Sequence, residues 1–265
     1  MNAIDVNMLH DLLLKMAKCM HNIFVQQSIP YYMLGGTQLG ACRHKGFIPW
    51  DDDMDFGVER CYFDKSIEVL KENLPSRYQI ITMKDSKFVV GMFYKIVDTQ
   101  TYADYHFVNG EEETYGINID IFPLDRSNGR KTFFSKNNLI QILRSIDAYR
   151  LLELKELPLI NRIVSKIIKT TLFPMDRCAI YDFITKKLIE CNGDYIANHS
   201  GNWKMKEIVP AKWFGNPRLY KFEDTELYGV SMPEEYLKSL YKSWRELPPI
   251  DKQHIHLNNI YLRND

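Results

Sequence analysis

Apolar residues recur at Leu9, Leu12, Leu13, Met16, Met20, Ile23 and Phe24. Spacings of three and four predict one amphipathic helix from Asn2 to about Gln27, ended by Pro30. The run YYML then reads as a short buried strand closed by Gly35-Gly36. Thr37 to Arg43 follows as a short helix opening at the glycines, with Thr37 as its cap. Gly46 and Pro49 mark a turn, and MDFGV is the next strand. Tyr62 to Asn73 fits a helix stopped by Pro75. Strand-like segments follow at YQIITM, FVVGMFYKIVD and TYADYHFV, with Asn109-Gly110 as a hairpin signal. YGINIDIFPL is the returning strand, in which Ile117, Ile119 and Ile121 alternate with Asn118, Asp120 and Phe122.

After Arg126 the pattern changes. Residues 131–190 read as mostly helical, interrupted by Pro158 and Pro174. From Glu207 onward short strands and turns alternate, with one helix near Glu234–Lys242. This organisation predicts an α+β fold: a mixed, mostly antiparallel sheet flanked by helices. A core over 1–126 would be joined by a mainly helical region over 127–206 and a C-terminal stretch, 207–265, that completes a cleft.

Composition narrows the function without naming it. The chain has 265 residues, 45% of them hydrophobic and 26% charged, as in an ordinary globular protein. Its formal net charge is zero, so no global field draws it onto nucleic acid, and anion binding must come from a local cluster. The five cysteines are widely spaced, without a Cys-x-x-Cys pair, which favours a reducing, cytoplasmic setting over a zinc ribbon. The first ten residues predict no secretory leader. No apolar run reaches the roughly 18 residues expected of a membrane span.

The chemistry concentrates in one stretch. Asp51, Asp52, Asp53 and Asp55 fall within five positions. On a strand, Asp53 and Asp55 point the same way, about 6.6 Å apart at their Cα atoms, while Met54 and Phe56 point into a core. Clustered carboxylate oxygens suit Mg2+ or Mn2+. An EF-hand is excluded, because Phe56 stands where its glycine belongs and Tyr62 where its glutamate belongs. The remaining alternative is a solvated acidic turn. Asp120, opposite Ile119 and Ile121 in its strand, would join Asp53 and Asp55 if the two strands were neighbours. Upstream, Gly35 and Gly36 let a backbone approach a ligand closely at a helix N-terminus, where phosphate is favoured. Arg43, His44 and Lys45 would add positive charge there. These parts point to displacement at phosphorus assisted by a metal.

Strand, Gly-Gly, helix, Asp-x-Asp and a later strand aspartate form a pattern similar to the nucleotidyltransferase fold. More narrowly, GGTQLGACRHKGFIPWDDDMDFGV closely resembles the signature of the LicD family of phosphotransferases, to which fukutin-type proteins are related. KIVDTQT (Lys95–Thr101), IDIFPLD (Ile119–Asp125) and MPEEYLKSLYKSWRELPP followed by histidines resemble further blocks of that family, in the same order. The resemblance covers 31–125 well and 207–256 more loosely.

It implies transfer of phosphocholine, or a related phospho-alcohol, from a CDP-activated donor such as CDP-choline to a sugar hydroxyl of a lipid-linked cell-surface glycan such as teichoic acid or lipopolysaccharide. CMP would be released. The family's metal-binding acids carry over to Asp53, Asp55 and Asp120, and its glycine turn, with Thr37, to Gly35 and Gly36. Lys95 becomes a candidate for the donor phosphates. Asp51 and Asp52 would support the metal from behind or cap the turn. Asp125 matches the family block, and His254 and His256 fall where the family places a histidine.

Two further features bear on substrates. Residues 157–173 have apolar pairs with Arg162, Lys166 and Lys169 on the other side, a basic amphipathic helix suited to peripheral contact with the inner face of a membrane. Choline needs an aromatic cage, for which Tyr31, Tyr32, Trp203, Trp213, Phe214 and Trp244 are candidates. Rival readings are a ribitol- or glycerol-phosphate transferase, a nucleotide-sugar glycosyltransferase with an Asp-x-Asp metal site, and a non-catalytic glycan-binding relative.

Overall fold

The computed structural model describes residues 2–86, 89, 91–106, 112–150, 176–253 and 258–263. The first helix, α1 (Val6–Gln26), begins four residues later than its apolar spacing suggests. The Asp5 side chain accepts the Met8 amide hydrogen at 2.8 Å and caps it. The preceding Asn2–Ala3 (β1) is instead an edge strand. Leu9, Leu13, Met16, Met20 and Phe24 are all buried on the inner face of α1. Each contributes roughly 1.5–3 kcal/mol of burial.

The central sheet has seven strands. It uses β2 (Tyr32–Met33), β3 (Asp55–Glu59), β4 (Tyr78–Thr82), β5 (Tyr94–Asp98), β8 (Asn118–Ser127), β9 (Tyr195–Ala197) and β10 (Ile208–Pro210). The long strand β8 organises it. One edge of β8 pairs in parallel with β3, Asp55 facing Asp120. Its other edge pairs antiparallel with β5 over its first half and with β9 over its last. All the other pairings in this sheet are antiparallel. Ile117, Ile119 and Ile121 are fully buried beneath it, as the alternation requires.

A second, antiparallel sheet joins β1, β13 (Asn258–Leu262), β6 (Thr101–His106) and β7 (Glu112–Tyr115). The β6–β7 pairing is the hairpin signalled by Asn109-Gly110, whose turn lies outside the described residues. A third pairs β11 (Arg218–Phe222) with β12 (Thr225–Gly229). The α+β expectation holds. Strand boundaries shift: among the described residues FVVGMFYKIVD forms strand only from Tyr94, and YYML only at Tyr32–Met33. In the first of these, Gly91 takes φ +142°, which breaks extended pairing ahead of β5.

Among the described residues the remaining α-helices are α2 (Gly35–Arg43), α3 (Arg60–Asn73), α4 (Lys136–Arg150), α5 (Arg177–Phe183), α6 (Ala211–Phe214) and α7 (Pro233–Tyr241). A π-helical turn, Ile184–Leu188, extends α5, and Ile140, Ile180, Ile184 and Leu188 make a small core there beside α4. No helix among the described residues is long and apolar enough to cross a membrane. The amphipathic stretch 157–173 lies outside the described residues.

Candidate active site

The turn between β2 and α2 is set by Gly35, whose φ of +46° suits a residue without a side chain. α2 starts at Gly35 itself, so Thr37 is not its cap. Leu34 holds that position, and the Thr37 hydroxyl accepts the Asp55 amide hydrogen at 2.8 Å, tying α2 to β3. The Gly35 amide donates to the Tyr236 hydroxyl of α7 at 3.1 Å. Gly36 and Thr37 follow in the first turn, where amide hydrogens lack intrahelical acceptors. At Gly36 an added Cβ would lie 2.7 Å from Asp51 Oδ2, so carboxylate and backbone meet there without room for a side chain.

The aspartate loop is held from both sides. His10 of α1 donates from Nε2 to the Asp51 carbonyl at 2.7 Å, and its ring stacks on Phe47 at 4.1 Å. The Phe47 amide donates to Glu223 Oε1 at 2.9 Å. Asp53 just precedes β3 and Asp55 opens it; both line one cavity of about 310 Å3 with Asp120, Gly35 and Gly36. Met54 and Phe56 are fully buried on the opposite side. Across the sheet, Asp55, Asp120 and Lys95 sit in register on β3, β8 and β5. Lys95 Nζ donates to both Asp120 oxygens, at 2.7 and 2.8 Å, and to Asn118 Oδ1 at 2.9 Å. Burial opposes the Lys95 charge, yet Asp120 holds its pKa above the usual lysine value.

The far wall comes from α4, from the segment 198–207 and from the end of α7. Arg144 of α4, with Asn198, Ser200, Trp203, Glu207 and Tyr241, faces the aspartates. Arg144 donates through Nη1 to the carbonyls of His199 and Gly201, at 3.3 and 2.7 Å. Desolvation lowers its pKa. Glu207 is buried, with Oε1 accepting the Trp203 amide hydrogen at 2.8 Å. Burial pushes its carboxyl up to about 7.

A second cavity, of about 760 Å3, shares Gly36, Asp53, Asp55, Asn202, Trp203 and Tyr241 with the first. Trp50, Trp203, Tyr241 and Trp244 form its aromatic wall, beside Asp51, Asp52 and Glu246. Of the cage residues suggested by sequence, Trp203 and Trp244 are here. Tyr31, Tyr32 and Phe214 are buried in the core instead, and Trp213 packs against it.

Of the basic loop, Arg43 lines the second cavity; its Nη1 donates to the Trp244 and Glu246 carbonyls at 2.9 and 3.1 Å. His44 caps the end of α2, and Lys45 reaches back to the Cys42 carbonyl. Asp125 is fully buried in a two-pronged ion pair with Arg60, at 2.7 and 3.1 Å, away from both cavities. His254 and His256 lie outside the described residues.

The carboxylates crowd one another in a buried setting. Burial first, then Asp53, Asp120, Asp51 and Glu207, push the Asp55 carboxyl well above its usual range. Burial, Asp53 and Asp52 bring Asp51 up to about 8, against the pull of Arg43. Among the described residues no three His, Cys, Asp or Glu side chains are already gathered at metal-ligand spacing. Asp120 is instead held by Lys95. The donor set is nonetheless all oxygen and mutually repelling, which fits a hard divalent ion.

Comparison with known proteins adds an independent line. Residues 28–161 match the sequence model of LicD/FKTN/FKRP, nucleotidyltransferase domain. The chain is 27% identical over 244 residues to a Haemophilus influenzae protein named lipopolysaccharide cholinephosphotransferase LicD, covering 89% of each. Over 46 residues it is 44% identical to uncharacterized proteins of Rickettsia prowazekii and Rickettsia typhi, 17% of this chain in each case.

Proposed function

The chain belongs to the LicD/FKTN/FKRP family, and we propose that it transfers phosphocholine from CDP-choline to a sugar hydroxyl of a lipid-linked cell-surface glycan, on the cytoplasmic side. The observation that carries this reading is the meeting of Asp53, Asp55 and Asp120 with the Gly35–Gly36 turn in one cavity. Its similarity to the Haemophilus influenzae cholinephosphotransferase over 89% of both chains supports the choice of phospho-alcohol and a lipopolysaccharide-type acceptor.

Asp53, Asp55 and Asp120 would hold Mg2+ or Mn2+, which would supply charge neutralisation for the phosphates. The first-turn amides of Gly36 and Thr37, with the Arg144 guanidinium on the facing wall, would orient the donor diphosphate. Lys95 would hold the Asp120 side chain in place. The acceptor oxygen attacks the choline-bearing phosphorus, forming a new P–O bond. The bond from that phosphorus to the bridging oxygen breaks, and CMP leaves with the electron pair. The hydroxyl proton passes to a carboxylate; Glu207, with a proton affinity near neutrality, is matched to that role. The aromatic wall of Trp50, Trp203, Tyr241 and Trp244, edged by carboxylates, suits a quaternary ammonium better than ribitol or glycerol.

CMP release from CDP-choline, CDP-ribitol and CDP-glycerol, and UDP release from a UDP-sugar, test this reading with Mg2+ and a lipopolysaccharide acceptor. CDP-choline is expected to be turned over fastest. Preferred turnover of CDP-ribitol would reassign the donor, and UDP release alone would overturn the phosphotransferase reading.

A further inference from the structure

The active-site cavity does not account for the turn that leads into α4. Phe133 and Phe134 are 73% and 95% exposed there, their rings edge to face at 5.1 Å. Large aromatics so fully exposed and adjacent mark a contact surface. The turn is firmly held. Asn137 donates from Nδ2 to the Arg130 carbonyl at 2.7 Å, Asn138 Nδ2 to the Phe133 carbonyl at 3.0 Å, and the Ser135 hydroxyl to the Thr132 carbonyl at 2.7 Å. The two rings are therefore presented by an ordered tip.

Its surroundings specify the partner. From Arg126 to Ile146 the chain carries five Arg or Lys and no Asp or Glu, within a protein that balances 34 of each sign overall. Arg126 is paired with Glu59 and Arg144 faces the cavity, which leaves Arg130, Lys131 and Lys136, all exposed, in and beside the aromatic turn, while the Glu190 carboxylate accepts from Asn128 at its base. Leu139 and Ile142 extend the apolar surface along the outer face of α4, while Ile140 and Leu143 pack inward.

We propose that the Phe133–Phe134 tip inserts into an anionic lipid surface, with Arg130, Lys131 and Lys136 at the headgroups. An apolar wedge ringed by lysine and arginine is complementary to such a membrane in both hydrophobicity and charge. The position is useful: Arg144 lies eight residues beyond Lys136, about 12 Å along the same helix. The tip thus holds the cavity close to the bilayer, within reach of a membrane-borne acceptor. Binding is separate from turnover, so the inference stands or falls apart from the choice of donor.

Cosedimentation of the full chain with vesicles of phosphatidylcholine plus phosphatidylglycerol, against phosphatidylcholine alone, tests it. The protein is expected to bind the anionic vesicles, more weakly at high salt. The F133S/F134S variant should lose about tenfold or more in affinity. K131E/K136E should lose about tenfold on anionic vesicles only. Because all four side chains are exposed, both variants should keep the parent melting temperature and CMP release with a delipidated acceptor. Failure of the parent protein to bind, or parent-like binding by F133S/F134S, would overturn the proposal. So would a solution dimer that F133S/F134S dissociates without any vesicle binding, which would assign the tip to a second copy of the chain.

Discussion

Replacing Glu207 with glutamine should make the protein more stable and less active at once. The carboxyl is 7% exposed and its pKa stands at about 7, against 4.5 for an unburied glutamate, with burial as the main cause. A raised folded-state pKa means that the unfolded chain releases this proton first as pH climbs. Stability therefore falls between pH 4.5 and about 7 and stays reduced above that. The rise from 4.5 to about 7 corresponds to about 3 kcal/mol, at 1.36 kcal/mol per tenfold change in proton affinity. Glutamine keeps an acceptor for the Trp203 amide without carrying the charge. In EDTA, E207Q should match the parent near pH 4.5 and melt about 6 °C higher at pH 8. If Glu207 takes the acceptor's proton, kcat should also fall by about 100-fold or more. Differential scanning calorimetry across this pH range, paired with CMP release, reads both effects. A variant equally or less stable at pH 8 would refute the burial argument, and parent-like kcat would remove Glu207 from the chemistry.

Lys95→Met leaves the Asp120 carboxylate without its ammonium partner beside Asp55. It should cost about 3 kcal/mol in urea unfolding; an unchanged midpoint would show that Asp120 does not depend on Lys95. Gly36→Ala places a methyl 2.7 Å from Asp51 Oδ2 and should displace the aspartate loop from the turn. A fall in kcat of about 100-fold, with the fold retained by circular dichroism, is the expected result; parent-like turnover would separate Asp51 from the site.

The sequence was most legible where a local pattern maps onto a single element. The alternation around Asp120 correctly aimed Ile117, Ile119 and Ile121 into the core, and the spacing of Asp53 and Asp55 put both on the cavity side. The neighbourhood of Asp55 and Asp120 was conditional on β3 lying beside β8, a parallel pairing with α3 and all of β4 to β7 between them in sequence. Residues that close the cavity from afar left no such trace. Arg144 sits in an ordinary helical pattern, and Glu207 precedes a three-residue strand. Their roles depend on tertiary contact alone. The basic trio divides for a related reason: three adjacent charges on a helix end and turn point in different directions, Arg43 lining the second cavity while Lys45 reaches back to the Cys42 carbonyl. Asp125, which shares a block with Asp120, alternates to the other face of β8 and is consumed by Arg60.

The central claim is that the carboxylates meeting at β3 and β8 carry phosphocholine transfer. The most direct measurement is mass spectrometry of a lipopolysaccharide acceptor after incubation with CDP-choline and Mg2+, using the parent protein and Asp55→Asn. Asparagine preserves the size of the side chain and removes the charge that burial and the neighbouring acids already oppose. The parent should add phosphocholine to the glycan, and D55N, folded and at least as stable, should be slower by about 1000-fold or more. Phosphocholine addition by D55N at the parent rate would contradict the account.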